Sequence, residues 1–398
     1  MKIVMLIFFT LMSLKATTIN ELVALALQNN PNLEIFLLKK DTFLLKSQKD
    51  EILDDPIVGV GANDISFKKP FKRSIEPMQN EYINITQMIP SSKKLDLKSG
   101  ISLKDANIES IKFEDAKMGL RSQILDFSYQ FLVVKKKISL IRTYIKNLKK
   151  MLKIANFLYR HSKIDQLKIL DLKSQLEYKK LNLHELRYKK EEILSKIKEL
   201  SFVDIDDIQD SLRLKDVNID IDKVVSKHPQ LKILKQLIDK KELEKDLEDE
   251  KKNSDIRLSA GYYHRSGFDD YASINAAFAL KLSNRENISK SIKKIEKTTL
   301  LLKLKDKKYQ MKKKIENLLE LLKSAKKRVL LIDKSLFKIN KNRKKVLNIK
   351  IENEKASTLS IYENKNRYLS LKLLKLAQKL IYFRAYSKLS YYLHEDQL

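Results

Sequence analysis

The chain has 398 residues, 33% of them charged, and a formal net charge of +30. Glycine and proline number six each and cysteine is absent, which excludes a disulfide framework, a thiolate metal site and a cysteine-borne lipid, and favours long uninterrupted helices. The positive charge raises nucleic-acid binding as one reading, but the lysines are dispersed with few aromatics among them, which fits solvated helix faces.

Met1 to Ala16 carries a short basic start and an apolar run ending at Ala16, the pattern of a secretory signal peptide over residues 1–16. A membrane anchor is the alternative, although a spanning helix needs about twenty apolar residues. Thr17 to about Asp54 reads as helix broken at Asn30-Pro31. Pro56 to Pro90 then reads as a β-region with strands at about 57–65 and 82–89, in which Ile83 and Ile85 oppose Asn84 and Thr86. The loop between them, Ser66 to Asn80, holds Lys68, Lys69, Lys72 and Arg73, which either meet lipid phosphates or are ordinary solvated loop charge. Pro90 closes the strand and opens a helix, because proline cannot donate to a ladder.

Long helices are expected at about 91–159 and 166–200, with a reversal at about Arg160 to Gln166. Ile124, Phe127, Phe131, Val134, Ile138, Ile141, Ile145, Leu148, Leu152, Ala155 and Tyr159 step by threes and fours, the seam of a coiled coil. Residues 213–398 repeat the plan of 17–212. Asn30-Pro31-Asn32-Leu33 recurs as His228-Pro229-Gln230-Leu231. Strands are expected at about 256–264 and 272–282, helices at about 285–350 and 358–392, and a second reversal at about Ile351 to Thr358. A second seam runs Met311, Ile315, Leu318, Leu322, Ala325, Val329, Ile332, Leu336, Ile339, in step with the first at an offset of 191 (Ile124 to Ile315). The same order of elements in both halves points to a duplication.

From Ala272 to Leu282 apolar residues alternate with small or polar ones, as in a strand with different solvents on its two faces. Ile274, Phe278, Leu280 and Leu282 are expected to face lipid, and Ser273, Asn275 and Lys281 to face an aqueous lumen. Four such strands are too few to close a barrel, and an open edge in lipid costs several kcal/mol per unsatisfied group. The strands of one chain must therefore be completed by those of other copies, with the helices forming a hollow cylinder beneath.

Here the chain resembles the TolC-like outer-membrane efflux proteins. The resemblance rests on the duplicated order of proline box, hairpin and helical pair. It also rests on Tyr82-Ile83-Asn84-Ile85-Thr86-Gln87-Met88-Ile89-Pro90, on Leu280-Lys281-Leu282-Ser283-Asn284-Arg285, and on Tyr159 to Gln175 and Leu347 to Arg367 as tip segments. It implies a mainly α fold with a small β part, in which duplicated helix pairs form a periplasmic α-barrel and two β-hairpins give four strands to a trimeric transmembrane β-barrel. The implied function is an outer-membrane channel tunnel of a tripartite efflux or type I secretion system, a passive exit duct driven by an inner-membrane transporter through a periplasmic adaptor protein. Two departures stand out: His161-Ser162 and Glu354-Lys355 replace the family's usual tip glycine, and the cysteine that often carries a lipid is missing.

The resemblance also implies an acidic constriction at the periplasmic entrance. Asp171 and Glu363, 192 residues apart and just past the two reversals, with Ser360, are the candidates; in a trimer they would form rings of like charge. The alternative is a solvated face whose carboxylates pair with nearby lysines. No nucleophile elbow, Gly-rich phosphate loop or paired-histidine spacing is present, so neither an enzyme nor a metal or cofactor site is expected; His161, His184, His228, His264 and His394 stand apart. Two rivals remain: a periplasmic adaptor, which places β-rich domains around one helical hairpin, and a basic coiled coil binding nucleic acid.

Overall fold

The computed structural model describes residues 17–353 and 357–393; the stretch read as a signal, the Glu354-Lys355 tip pair and His394 lie outside the described residues. Helices α1 (Ile19–Asn29) and α2 (Pro31–Asp50) lead into strands β1 (Ile57–Asn63) and β2 (Asn80–Ile89). Then come α3 (Ser92–Arg160), α4 (Gln166–Ser201), α5 (Ile221–Lys227) and α6 (Pro229–Glu250). Strands β3 (Ile256–His264) and β4 (Tyr271–Phe278) precede α7 (Arg285–Leu331), a π-helical segment (Ile332–Leu336), α8 (Phe337–Glu352) and α9 (Thr358–Ser390).

The proline boxes work as helix punctuation. Thr18 and Glu21 cap α1 reciprocally, each side chain accepting from the other's backbone N–H, at 3.3 and 2.9 Å. Asn30 ends α1 and starts α2: its Oδ1 accepts from the Asn32 N–H at 2.9 Å, while its Nδ2 donates to the Leu200 carbonyl at 2.9 Å. Pro31 and Pro229 each occupy the first helical position, where a missing N–H costs nothing. His228, the counterpart of Asn30, is fully buried with its ring 5.0 Å from that of Tyr391 and 5.4 Å from that of Tyr392.

Among the described residues the chain forms two compact units: residues 17–33, 114–228, 309–353 and 357–393, and residues 34–113 and 229–308. In the first, the core follows the seams. Ile124, Phe131, Ile141, Leu148 and Ala155 of α3 and Met311, Ile315, Ala325 and Val329 of α7 are buried. Near the reversal, Leu148, Met151 and Ala155 pack with Ile169, Leu172 and Leu176 of α4 and Leu359 of α9. The C-terminal end of α9 is tied to α3 by polar contacts. The Arg121 guanidinium donates to the carbonyls of Ser390, at 2.9 Å, and Leu393, and the Tyr391 hydroxyl donates to Asp115 at 2.7 Å. Deeper in, Arg384 donates to Gln130 and Gln130 to Asp126, whose carboxyl pKa is raised by burial against the pull of Arg384.

The second seam departs from its expected course. It holds to Ile332 and then meets the π-helical turn, whose extra residue rotates everything beyond it. Leu336 and Ile339 turn outward, Ile339 to 63% exposure, and Asn340 takes the buried position at 6%. Its Nδ2 donates to Asn364 Oδ1 at 3.0 Å, and nearby Asn147 donates to Asn366 Oδ1 at 2.9 Å. Two amide pairs thus interrupt the apolar packing of α3, α8 and α9. A buried amide pair fixes register, since any slip strands its polar atoms.

In the second unit, α6 is held by charge more than by apolar burial. Lys240 pairs with Asp105 of α3 at 2.7 Å; Lys290, Lys293 and Lys297 of α7 pair with Asp249, Glu244 and Glu242 at 2.9, 3.1 and 2.7 Å. Hydrogen bonds from Lys245 and Lys297 hold the Glu242 carboxyl down at about 2. These pairs are partly exposed, and solvent-screened pairs each contribute about 0–1 kcal/mol, so the ladder sets alignment more than stability.

Candidate functional site

The four strands form one antiparallel sheet in the order β1-β2-β3-β4, so the two hairpins join through β2 and β3. Its register sorts the side chains, because directly opposed residues share a face. Val58, Ile85, Ala260 and Ile274 make one row. Val60, Ile83, Tyr262 and Ala272 make the next, and Ile89, Ile256 and Phe278 close the face at the helical end. The other face carries Ile57, Thr86, Ser259 and Asn275 in one row and Gly59, Asn84, Gly261 and Ser273 in another. One face is therefore largely apolar, broken by Gln87 in the row of Leu258 and Ala276 and ending at Glu81 and His264 near the loop, and the other is mostly small and polar.

The apolar face is uncovered, with Ile274 at 85% and Val60 at 76% exposure. Left in water this patch would be a liability of the kind that marks a membrane or partner surface. On the polar face the glycines make room for larger neighbours. A Cβ on Gly61 would stand 2.6 Å from the Tyr82 hydroxyl, so glycine is what lets the Tyr82 ring lie across β1. Tyr82, Tyr263 and Tyr271 continue that row, with the last two rings stacked at 4.7 Å. Among the described residues the outer edges of β1 and β4 have no strand partner.

The strand expected to reach Leu282 stops at Phe278. Phe278 pairs with Ile256, the first residue of β3, so beyond it no partner remains. Ser254 Oγ donates to the Ala279 carbonyl instead. Leu280 and Leu282 are exposed but lie past the strand, and Lys281 pairs with Glu286 of α7 at 3.2 Å. Ile274 and Phe278 sit on the apolar face and Ser273 and Asn275 on the opposite one. Similarly β1 ends at Asn63, because Asp64 turns the chain with φ of 54°.

At the reversal, α3 ends at Arg160, Ser162 adopts φ of 57°, and the Asp165 side chain accepts from Leu167 N–H to cap α4. A non-glycine residue thus takes the left-handed position that glycine would fill more easily. Glu363 is ion-paired with Lys168 across α4 and α9 at 2.9 Å, while Asp171 is exposed with no ion pair among the described residues. Ser360 lies in the first turn of α9, its N–H bonded to the Ser357 carbonyl at 3.0 Å. Of the three aperture candidates, the structure brings Glu363 to a lysine and gives Asp171 no ion pair among the described residues.

Sequence reasoning missed the Asn147, Asn340, Asn364 and Asn366 layer; an asparagine one step out of phase with a heptad seam is the signal that would find it. Among the described residues no helix is long and apolar enough to cross a membrane, and no cluster of three or more potential metal-binding side chains occurs.

No sequence-family model matches the chain, and no curated protein matches it in sequence. Solved structures do match in fold. The CmeC outer membrane channel of Campylobacter jejuni superposes with a TM-score of 0.77 at 13% identity, covering 94% of this chain and 85% of that one. The open-state MtrE outer membrane channel of Neisseria gonorrhoeae gives 0.75 at 10% identity, with 94% and 88% covered. VceC, an outer membrane protein of Vibrio cholerae, gives 0.69 at 11%, with 92% and 95% covered. The fold is that of TolC-like outer-membrane channels: long helices with a small antiparallel sheet.

Proposed function

We propose that the chain is the outer-membrane channel of an export system and assembles as a homotrimer whose four-stranded sheets close into one barrel. The observation that carries this reading is the register: one sheet face largely apolar and uncovered, the other mostly small and polar, and both edges open among the described residues. Such a sheet is unstable in water through its face and in lipid through its edges. Closure with like sheets removes both costs. Three copies supply 3 × 4 = 12 strands, and β4 of one copy meets β1 of the next antiparallel.

Exposed three-four seams on the helices support the same assembly. Ile288, Ile292, Ile295, Leu302 and Tyr309 of α7 are exposed and keep heptad spacing, as do Ile35, Leu38 and Leu45 of α2. Seams of this kind bury against helices of another copy. The channel is a passive duct, driven by an inner-membrane transporter through a periplasmic adaptor protein, and its helical part extends into the periplasm. At the entrance, Asp171 of each copy supplies the acidic charge, with Glu363 partly neutralised by Lys168. The adaptor alternative fits poorly, since it calls for β-rich domains around a single helical hairpin.

Expressed with residues 1–16 in place, the protein is expected to band with outer membranes in a density gradient, to resist alkaline extraction, and to run in detergent as three copies of the processed chain, each somewhat below the 46.7 kDa of all 398 residues. Recovery as a soluble monomer would contradict the reading.

A further inference from the structure

Outside the channel wall, the most unusual surface is the loop joining β1 to β2. We propose that this loop is a lipid-binding finger that engages phosphate groups of outer-leaflet lipid through Lys68, Lys69 and Lys72 while Phe67 and Phe71 enter the headgroup boundary. The proposal rests on the membrane reading above.

The loop is built on a fixed base. Arg73 Nη2 donates to the carbonyls of Asn63 at 2.6 Å and Asn80 at 2.7 Å, the pair of residues that closes the hairpin. Gln79, 1% exposed, accepts from the Ile75 N–H at 3.0 Å and donates to the Asp64 carbonyl at 2.9 Å. Arg73 is thus an internal pin and not one of the surface cations that the sequence alone suggested.

From this base two phenyl rings stand free: Phe67 is 100% exposed and Phe71 97%. No other large apolar side chain among the described residues is so bare. Lys68, Lys69 and Lys72 interleave with them, all exposed and without an ion pair among the described residues. Pro70 limits the backbone between the rings. A sequence with no further role would not hold two phenylalanines in water on a pinned loop.

Alternating aromatic rings and cations match the membrane–water boundary, where an apolar body meets the acyl region and an ammonium meets phosphate. Continuity selects lipid as the occupant. The Asn63–Asn80 pair is the last rung of the register, and the apolar row of Val60 and Ile83 lies three residues down the same strand. The loop therefore leaves the sheet near the level where the hydrocarbon-facing rows end. Three uncompensated cations complement the phosphates of an anionic headgroup.

The test uses the purified full-length oligomer and fluorescent diphosphoryl lipid A carried in neutral-detergent micelles. Wild type is expected to bind it saturably, and dephosphorylated lipid A at least about tenfold more weakly, because the three lysines then lose the anionic groups they face. The triple variant Lys68→Gln, Lys69→Gln, Lys72→Gln should lose that preference, and Phe67→Ser with Phe71→Ser should weaken binding of both lipids. Inorganic phosphate at millimolar concentration should not compete. Equal binding of the two lipids, full competition by inorganic phosphate, or unchanged binding by the triple variant each overturns the proposal. Insertion into phosphatidylcholine vesicles separates the two readings. Entry of wild type and variants alike with no phosphate preference sinks the finger alone, while failure of wild type to enter any vesicle takes the channel down with it.

Discussion

Ile274→Arg should abolish stable insertion into the outer membrane, whereas Asn275→Arg, one residue along, should insert like wild type. Both changes place the same guanidinium on β4, so propensity and length cancel in the comparison. Ile274 lies mid-strand on the apolar face, in the row of Val58, Ile85 and Ala260; Asn275 lies on the polar face beside Ser259. An arginine on the lipid face costs about 2–4 kcal/mol at the bilayer midplane, a factor of roughly thirty to a thousand in the insertion equilibrium, and falls to about 0–1 near the interface. Phe278→Arg, at the helical end of the same face, should therefore be intermediate. The yield of membrane-inserted protein for the three variants, measured side by side, checks the order. Equal yields for Ile274→Arg and Asn275→Arg would mean that the two faces do not meet different solvents.

Leu172→Ala should destabilise the helical reversal by about 2–5 kcal/mol, since it removes a buried side chain and leaves a cavity that cannot fully collapse. Leu172 is 1% exposed among Leu148, Met151, Ala155, Ile169, Leu176 and Leu359, so three helices lose contacts at once. Its exposed neighbour Lys173 serves as the control, and Lys173→Ala should stay within about 0.5 kcal/mol of wild type. Thermal unfolding in detergent reads the difference. A Leu172→Ala melting curve that overlays wild type would remove the case for a packed core at this reversal.

How far the sequence revealed this structure follows from which physical signals are local. Alternation in Ile256–His264 and Tyr271–Phe278 exposed the second hairpin, because a strand between two solvents writes its period into the chain. The same alternation continued past Phe278 and overstated β4. A strand ends where its partner runs out, and Ile256 is the last residue of β3 able to pair. The coiled-coil seams were legible for a similar reason, up to Ile332. A π turn leaves no composition signature, so the outward rotation of Leu336 and Ile339 and the burial of Asn340 could not be read from spacing alone.

Polar roles were the least legible. Arg73 carries the same charge as its neighbours Lys68, Lys69 and Lys72, and only the positions of the Asn63 and Asn80 carbonyls make it a pin. Glu363 and Asp171 occupy matching places after the two reversals, yet Lys168 reaches one and not the other. Long side chains choose partners in three dimensions, and sequence distance says little about that choice.

The absence of cysteine from the whole chain allows a direct test of sheet closure. Single cysteines introduced on β1, from Ile57 to Asn63, can be paired with single cysteines on β4, from Tyr271 to Phe278, and oxidised in intact outer membranes. Closure between copies predicts bands of two and three chains on a non-reducing gel, for β1–β4 pairs at one register and not at neighbouring ones. Monomer bands alone across the whole panel, or cross-links confined within one chain, would contradict the account.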